Sequence, residues 1–124
     1  MARGIKMQHA FNVDVARDYC VNTALVLKEL YYQIKRNEMH QKYFYDGRYW
    51  CYCPSKQFWA KYSYLKPLYI KKSIKELEDA GLIVIANYSN DSTSGRFNWW
   101  YGLTEKGEKY CRRVQMNQEM VPNQ

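Results

Sequence analysis

The sequence predicts an α+β fold that is mainly helical, with a small antiparallel sheet. Three observations carry that expectation. In "NTALVLKELYYQIKRNEM" (22–39), Leu27, Leu30, Tyr31 and Ile34 fall along one stripe at three- and four-residue spacing. In "PLYIKKSIKELEDAGLI" (67–83), Ile70, Ile74 and Leu77 repeat that pattern before a glycine stops it. Two β-branched or aromatic runs, 82–88 and 96–103, surround the polar "SNDSTSG" (89–95) and predict a hairpin.

Each element has a local reason. "FNVDVARDYC" (11–20) begins with Asn12, whose amide can cap a short helix. The helix over 22–39 has Asn22 or Thr23 as its cap, with Lys35 and Arg36 near its end to suit the macrodipole. In "YFYDGRYWCYC", Asp46-Gly47 is a turn signal and Tyr49–Cys53 reads as a strand. Pro54 ends that strand, and Ser55 caps "SKQFWAKY", a short helix of about two turns. "SYLK" connects it to Pro67, whose missing N–H costs nothing at the first position of the next helix. That helix runs to about Ala80, and Gly81 supplies the left-handed residue after it. Thr104 caps a final helix, "TEKGEKYCRRV". With no repeat or linker, the whole chain, 1–124, reads as one domain, its core over about 10–115 and its last residues, 117–124, a frayed tail.

Composition narrows the function. Apolar residues form 47% of the 124, enough for one core. No run approaches the roughly 18 apolar residues of a membrane span, and "MARGIKMQHAFNVD" lacks the apolar core of a signal peptide. Four unevenly spaced cysteines suit a reducing cytosol better than a disulfide scaffold. Nineteen Lys and Arg against twelve Asp and Glu leave a formal charge of +7, which attracts polyanions. The charge is concentrated: residues 55–75 hold Lys56, Lys61, Lys66, Lys71, Lys72 and Lys75 and no acid.

The order helix, strand, short helix, brief turn, helix, hairpin, helix is that of a winged helix-turn-helix, with the hairpin as wing and the strand at 49–53 available to join its sheet. In such a unit the second helix of the pair enters the major groove with its N-terminal residues toward the bases. The helix from Pro67 has lysines early and Glu76, Glu78 and Asp79 late, the reverse of what its own dipole favours. A polyanion facing its early turns explains the reversal.

"FYDGRYWCYCPSKQFWAKYSYLKPLYIKKSIKELEDAGLI", then "NY" and "NWWYGLTEKG", resembles the winged-helix domain common in phage and plasmid genes. That domain recurs at the N-terminus of phage replisome organisers and related replication initiators. The resemblance spans roughly residues 10–110. It implies a phage or mobile-element protein that binds double-stranded DNA, either as a transcriptional regulator or as a replication-origin factor; a homodimer in the host bacterial cytosol is the expected form. Replisome organisers continue into a second, helical domain, so the likeness speaks more strongly for DNA binding than for replication. Lys66-Pro67 also stands where a Ser or Thr cap is expected, so that hydroxyl comes from Ser63 or is missing.

The expected contacts follow. Lys66, Tyr69, Lys72 and Ser73 lie off the apolar stripe as base or phosphate contacts, and Lys71 and Lys75 touch backbone. Lys56 and Lys61 come from the helix before the turn. Ser92, Ser94, Arg96 and Asn98 on the wing enter the minor groove or clamp phosphate. The bland reading of the lysines is a solvated charge run, and that of the thirteen tyrosines is core filling. Trp99 and Trp100 must face opposite sides of their strand. Cys51 and Cys53 share one side, but neither they nor His9 and His40 have partners at zinc-ligand spacing, so no metal or other cofactor is expected. Asp14 and Asp18 read as solvated surface, and no phosphate loop, HExxH or Gly-x-Ser-x-Gly points to an enzyme. Two rival readings remain: a winged helix that binds a host or phage protein as inhibitor or adaptor, and a binder of single-stranded nucleic acid, whose bases would stack on aromatics along a basic groove.

Overall fold

In the computed structural model, which describes residues 8–53, 58–86 and 100–116, Asn12 Oδ1 accepts from the Val15 N–H at 3.1 Å and opens α1 (Val13–Asp18) as its sequence predicts. The Asn12 amide also donates to the Val114 carbonyl at 2.9 Å, tying the start of the fold to its end. The long central helix, α2 (Val21–Met39), departs from expectation at its start. Its N-cap is Cys20, with no side-chain cap, and neither Asn22 nor Thr23 serves. Thr23 is fully buried and turned toward the next long helix instead. Ala24, Leu25, Val26, Leu27, Leu30, Tyr31 and Ile34 are buried, so α2 is apolar nearly all round at its start and is packed on several sides.

Asp46 and Gly47, at φ 52° and 79°, make the type I′ kind of turn that joins tightly twisted strands. It connects β1 (Phe44–Tyr45) to β2 (Arg48–Tyr52). The two-residue β1 was not expected, and β2 begins and ends one residue before the predicted strand. Where a two-turn α-helix was expected, the described part is a 3-10 helix, Phe58–Tyr62; its expected cap Ser55 lies outside the described residues. Helix α3 (Pro67–Asp79) follows, and Gly81 at φ 78° ends it in the left-handed conformation that a Cβ would penalise.

Strands β3 (Ile83–Ala86) and β4 (Trp100–Leu103) pair antiparallel, and the sheet order is β1-β2-β4-β3. The strand after the first long helix does join the hairpin, as its sequence position suggested. Register places Cys51 opposite Tyr101 and Tyr101 opposite Ile85, and this set faces the core. The other face carries Tyr52 opposite Trp100, whose ring lies 5.1 Å from Tyr52 and 5.2 Å from Tyr43. Trp99 and the expected tip at 89–95 lie outside the described residues, as does the tail from 117.

Thr104 accepts from the Gly107 N–H at 2.9 Å and caps α4 (Glu105–Arg113). Gly107 has a steric reason: an added Cβ would come within 2.0 Å of the Leu82 carbonyl oxygen. Helix and backbone meet there too closely for any side chain. At the centre of the core lie Leu27, Leu30, Leu77, Leu82, Met116 and the thiols of Cys51, Cys53 and Cys111. Burial pushes the Cys111 thiol up to about 12, and nearby Glu108 adds to the shift. Cys51 and Cys53 do share one side, their sulfurs 3.5 Å apart. Among the described residues, no helix is long and apolar enough to cross a membrane.

Candidate functional site

Helix α3 has two faces. Ile70, Ser73, Ile74 and Leu77 turn inward, against α2 and the rest of the core. At about 100° per residue, 68, 72, 75 and 79 must then point outward. Lys66, Leu68, Tyr69, Lys71, Lys72 and Lys75 are all exposed. Among the described residues Lys66, Lys71 and Lys72 form no ion pair, while Lys75 meets Asp79 one turn on at 3.2 Å. Such an exposed pair contributes only about 0.3–0.5 kcal/mol and exchanges readily for another anion. No side chain caps the helix: Lys66 is the N-cap, and Ser63 does not replace the missing hydroxyl.

Two buried polar clusters fix α3 and the segment before it. Thr23 on α2 lies 3.0 Å from the Ser73 hydroxyl and donates to Glu76 Oε1 at 2.7 Å, so the middle of α3 is keyed to the start of α2. The second cluster surrounds Glu29, a carboxylate only 5% exposed. It accepts from the Tyr62 hydroxyl at 2.9 Å, the Lys61 ammonium at 2.9 Å and the Gln33 amide at 2.8 Å. A buried charge persists only when paired and hydrogen-bonded in this way. Burial, reinforced by the Glu29 charge and hydrogen bond, raises the Tyr62 phenol above its ordinary value. The His9 ring stacks on Tyr62 at 4.3 Å and reaches the Tyr64 hydroxyl at 2.7 Å, holding the turn that leads into α3.

The expected contact residues separate accordingly. Lys66, Tyr69, Lys71, Lys72 and Lys75 come together on one exposed face. Ser73 does not join them: it is 3% exposed and belongs to the α2–α3 contact, so its expected role at a ligand is corrected. Lys61 is also reassigned, because its ammonium neutralises Glu29 and is already committed within the fold. Lys56, Ser92, Ser94, Arg96 and Asn98 lie outside the described residues.

Sequence reasoning passed over Leu68, Tyr64 and Glu29. A signal for Glu29 existed, since it follows Leu25 by four and Val26 by three and so shares a face with buried residues. A cavity of about 610 Å³ between α1 and α4 is a weaker candidate because several of its polar groups meet one another, although Lys106 on its wall meets none among the described residues. Tyr110 donates to Asp18 at 2.7 Å, Lys109 meets Glu105 at 3.8 Å, and Arg113 lies over the Tyr110 ring at 5.1 Å.

The outward side of α3 presents ammonium groups together with exposed apolar side chains. Its ammonium groups can only donate, which suits the oxygens of an anion, and its apolar members sit among them. Compared with protein-family models, curated proteins and solved structures, the chain finds no match.

Proposed function

We propose that this chain is a winged helix-turn-helix protein that binds double-stranded DNA, with the outward face of α3 in the major groove. One observation carries the reading: Lys66, Lys71 and Lys72, which have no ion-pair partner among the described residues, crowd the early, uncapped half of a helix whose acids all lie late. Charges left in that order are unfavourable for the isolated helix and favourable beside phosphate. The element order supports it as well. A short helix, a brief turn, α3 and the β3–β4 pair follow one another as in the winged unit, with β3 and β4 as the described part of the wing. The family resemblance extends the proposal to a mobile-element regulator or replication-origin factor; a homodimer in the host cytosol is its expected form.

Binding of mixed-sequence duplex at low salt tests the reading. We expect retention that weakens steeply as salt rises. No binding to duplex, with capture of an acidic protein by the same lysines, would move α3 to the rival reading, a protein-interaction module. Competition by single strands would decide the third reading: single strands that displace duplex at equal concentration would favour it.

A further inference from the structure

Charge does not explain Leu68. It is 59% exposed, second in α3 after Pro67, on the side opposite Ile70, Ile74 and Leu77. A single exposed leucine is ordinary on a protein surface. This one is followed by Lys71 and Lys72 three and four residues on, its neighbours on the helix surface, with Lys66 and the exposed rings of Tyr64 and Tyr69 close by in sequence. Lys72 lies four residues on, along the same outward line. The most prominent line of the helix is therefore apolar first and cationic second.

A duplex offers a matching pair of features in its major groove. Its one apolar group there is the C5-methyl of thymine, and guanine presents O6 and N7 as neighbouring acceptors. We infer that Leu68 packs on a thymine methyl while Lys72 donates to guanine, so that α3 selects a T·A pair close to a G·C pair. Side chains four apart on a helix are about 5–6 Å from each other at Cβ, and stacked base pairs are about 3.4 Å apart. The two selected pairs are thus adjacent or one step removed. Lys71, beside that line, and Lys66, at the N-cap before it, remain for phosphate. The inference rests on the reading of α3 as a groove-binding helix and names what that helix reads.

The test begins with selection of bound duplexes from a random pool by the full chain. The thymines of the preferred duplex are then replaced singly by deoxyuridine, which removes only the methyl. We expect one position at which the parent binds about four-fold more weakly, the effect of losing one buried methyl-sized contact. Leu68→Ala should bind the thymine and uracil duplexes equally, while Lys72→Ala should keep the methyl effect and lose the guanine preference. Both variants should melt at the parent temperature, since neither side chain is buried. A pool that returns no preferred sequence, or a parent indifferent to every uracil, overturns the inference but leaves duplex binding intact. A methyl effect that survives Leu68→Ala overturns it too. No binding of any duplex at low salt overturns the reading beneath it.

Discussion

Glu29 bears on the site without belonging to it, since it holds the segment that sets the entry to α3. Three donors converge on its carboxylate, and two of them, Lys61 and Tyr62, come from the 3-10 helix. Tyr62→Phe removes one donor and leaves the ring. It should lower stability by about 1–3 kcal/mol, the range for a hydrogen bond to a buried charge, in a urea or thermal melt. An unchanged midpoint would mean that Lys61 and Gln33 satisfy the carboxylate alone. Burial also lifts the phenols of Tyr62 and Tyr110 above the ordinary 10.0, helped by Glu29 in one case and by the hydrogen bond to Asp18 in the other. The folded chain then holds these protons more tightly than the unfolded chain does. Their contribution is fully present below about pH 10 and is lost as pH rises above it. The buried Cys111 thiol, raised from 9.0, adds a loss that begins lower, so urea midpoints should start to fall near about pH 9 and fall further beyond about pH 10; a midpoint that rises there would contradict the assignment. Ser73 shows what single-residue reasoning misses. Three residues after Ile70 and four before Leu77, it already lay within the inward arc, but a small polar side chain there can be wet or dry. Thr23, fifty residues away in the chain, decides that it is dry.

At the scale of elements, long periodic segments were legible and short ones were not. α2 and α3 declared themselves by the spacing of apolar residues, and Asn12, Thr104 and Gly81 marked helix boundaries by chemistry that acts within a few residues. The cap of α2 was not legible, because the same Thr23 hydroxyl that could have capped it is used across the α2–α3 contact. β1 is two residues long and exists only through its pairing with β2, so it left no periodic trace. Two substitutions test the packing of these elements. Leu77→Ala removes a fully buried side chain between α3 and its neighbours and should cost roughly 2–5 kcal/mol. A melting temperature equal to the parent's would place the α3 stripe on the wrong face. Gly107→Ala improves helix propensity at its position and would stabilise an isolated α4. Here the new methyl meets the Leu82 carbonyl, and backbone must shift, so the chain should lose about 1–3 kcal/mol or more. A stabilised variant would refute the close approach of α4 to Leu82.

For the whole molecule, the governing feature is where the charge stands. A formal +7 alone says little, but the fold distributes its charges unevenly. Lys35 is paired with Glu38 and Glu108, Lys61 with Glu29, and Arg112 with Glu108; Lys66, Lys71 and Lys72, like Lys42 and Lys106, have no such partner among the described residues, but these three stand within one seven-residue stretch. This face was legible in the amino-acid sequence, because lysine crowding and an apolar stripe are both local patterns. The sorting of Lys61 from its neighbours was not, since it depends on a buried acid thirty-two residues away. The central claim is that the face meets duplex phosphate, and a salt titration of duplex affinity tests it most directly. With Lys66, Lys71 and Lys75 each neutralising one phosphate, log K should fall against log salt with a slope of about −3 or steeper, at roughly −0.9 per contact. The double variant Lys66→Ala, Lys71→Ala should fold as the parent does and give a slope shallower by about two. A flat dependence, or a double variant with the parent's slope, would contradict the claim.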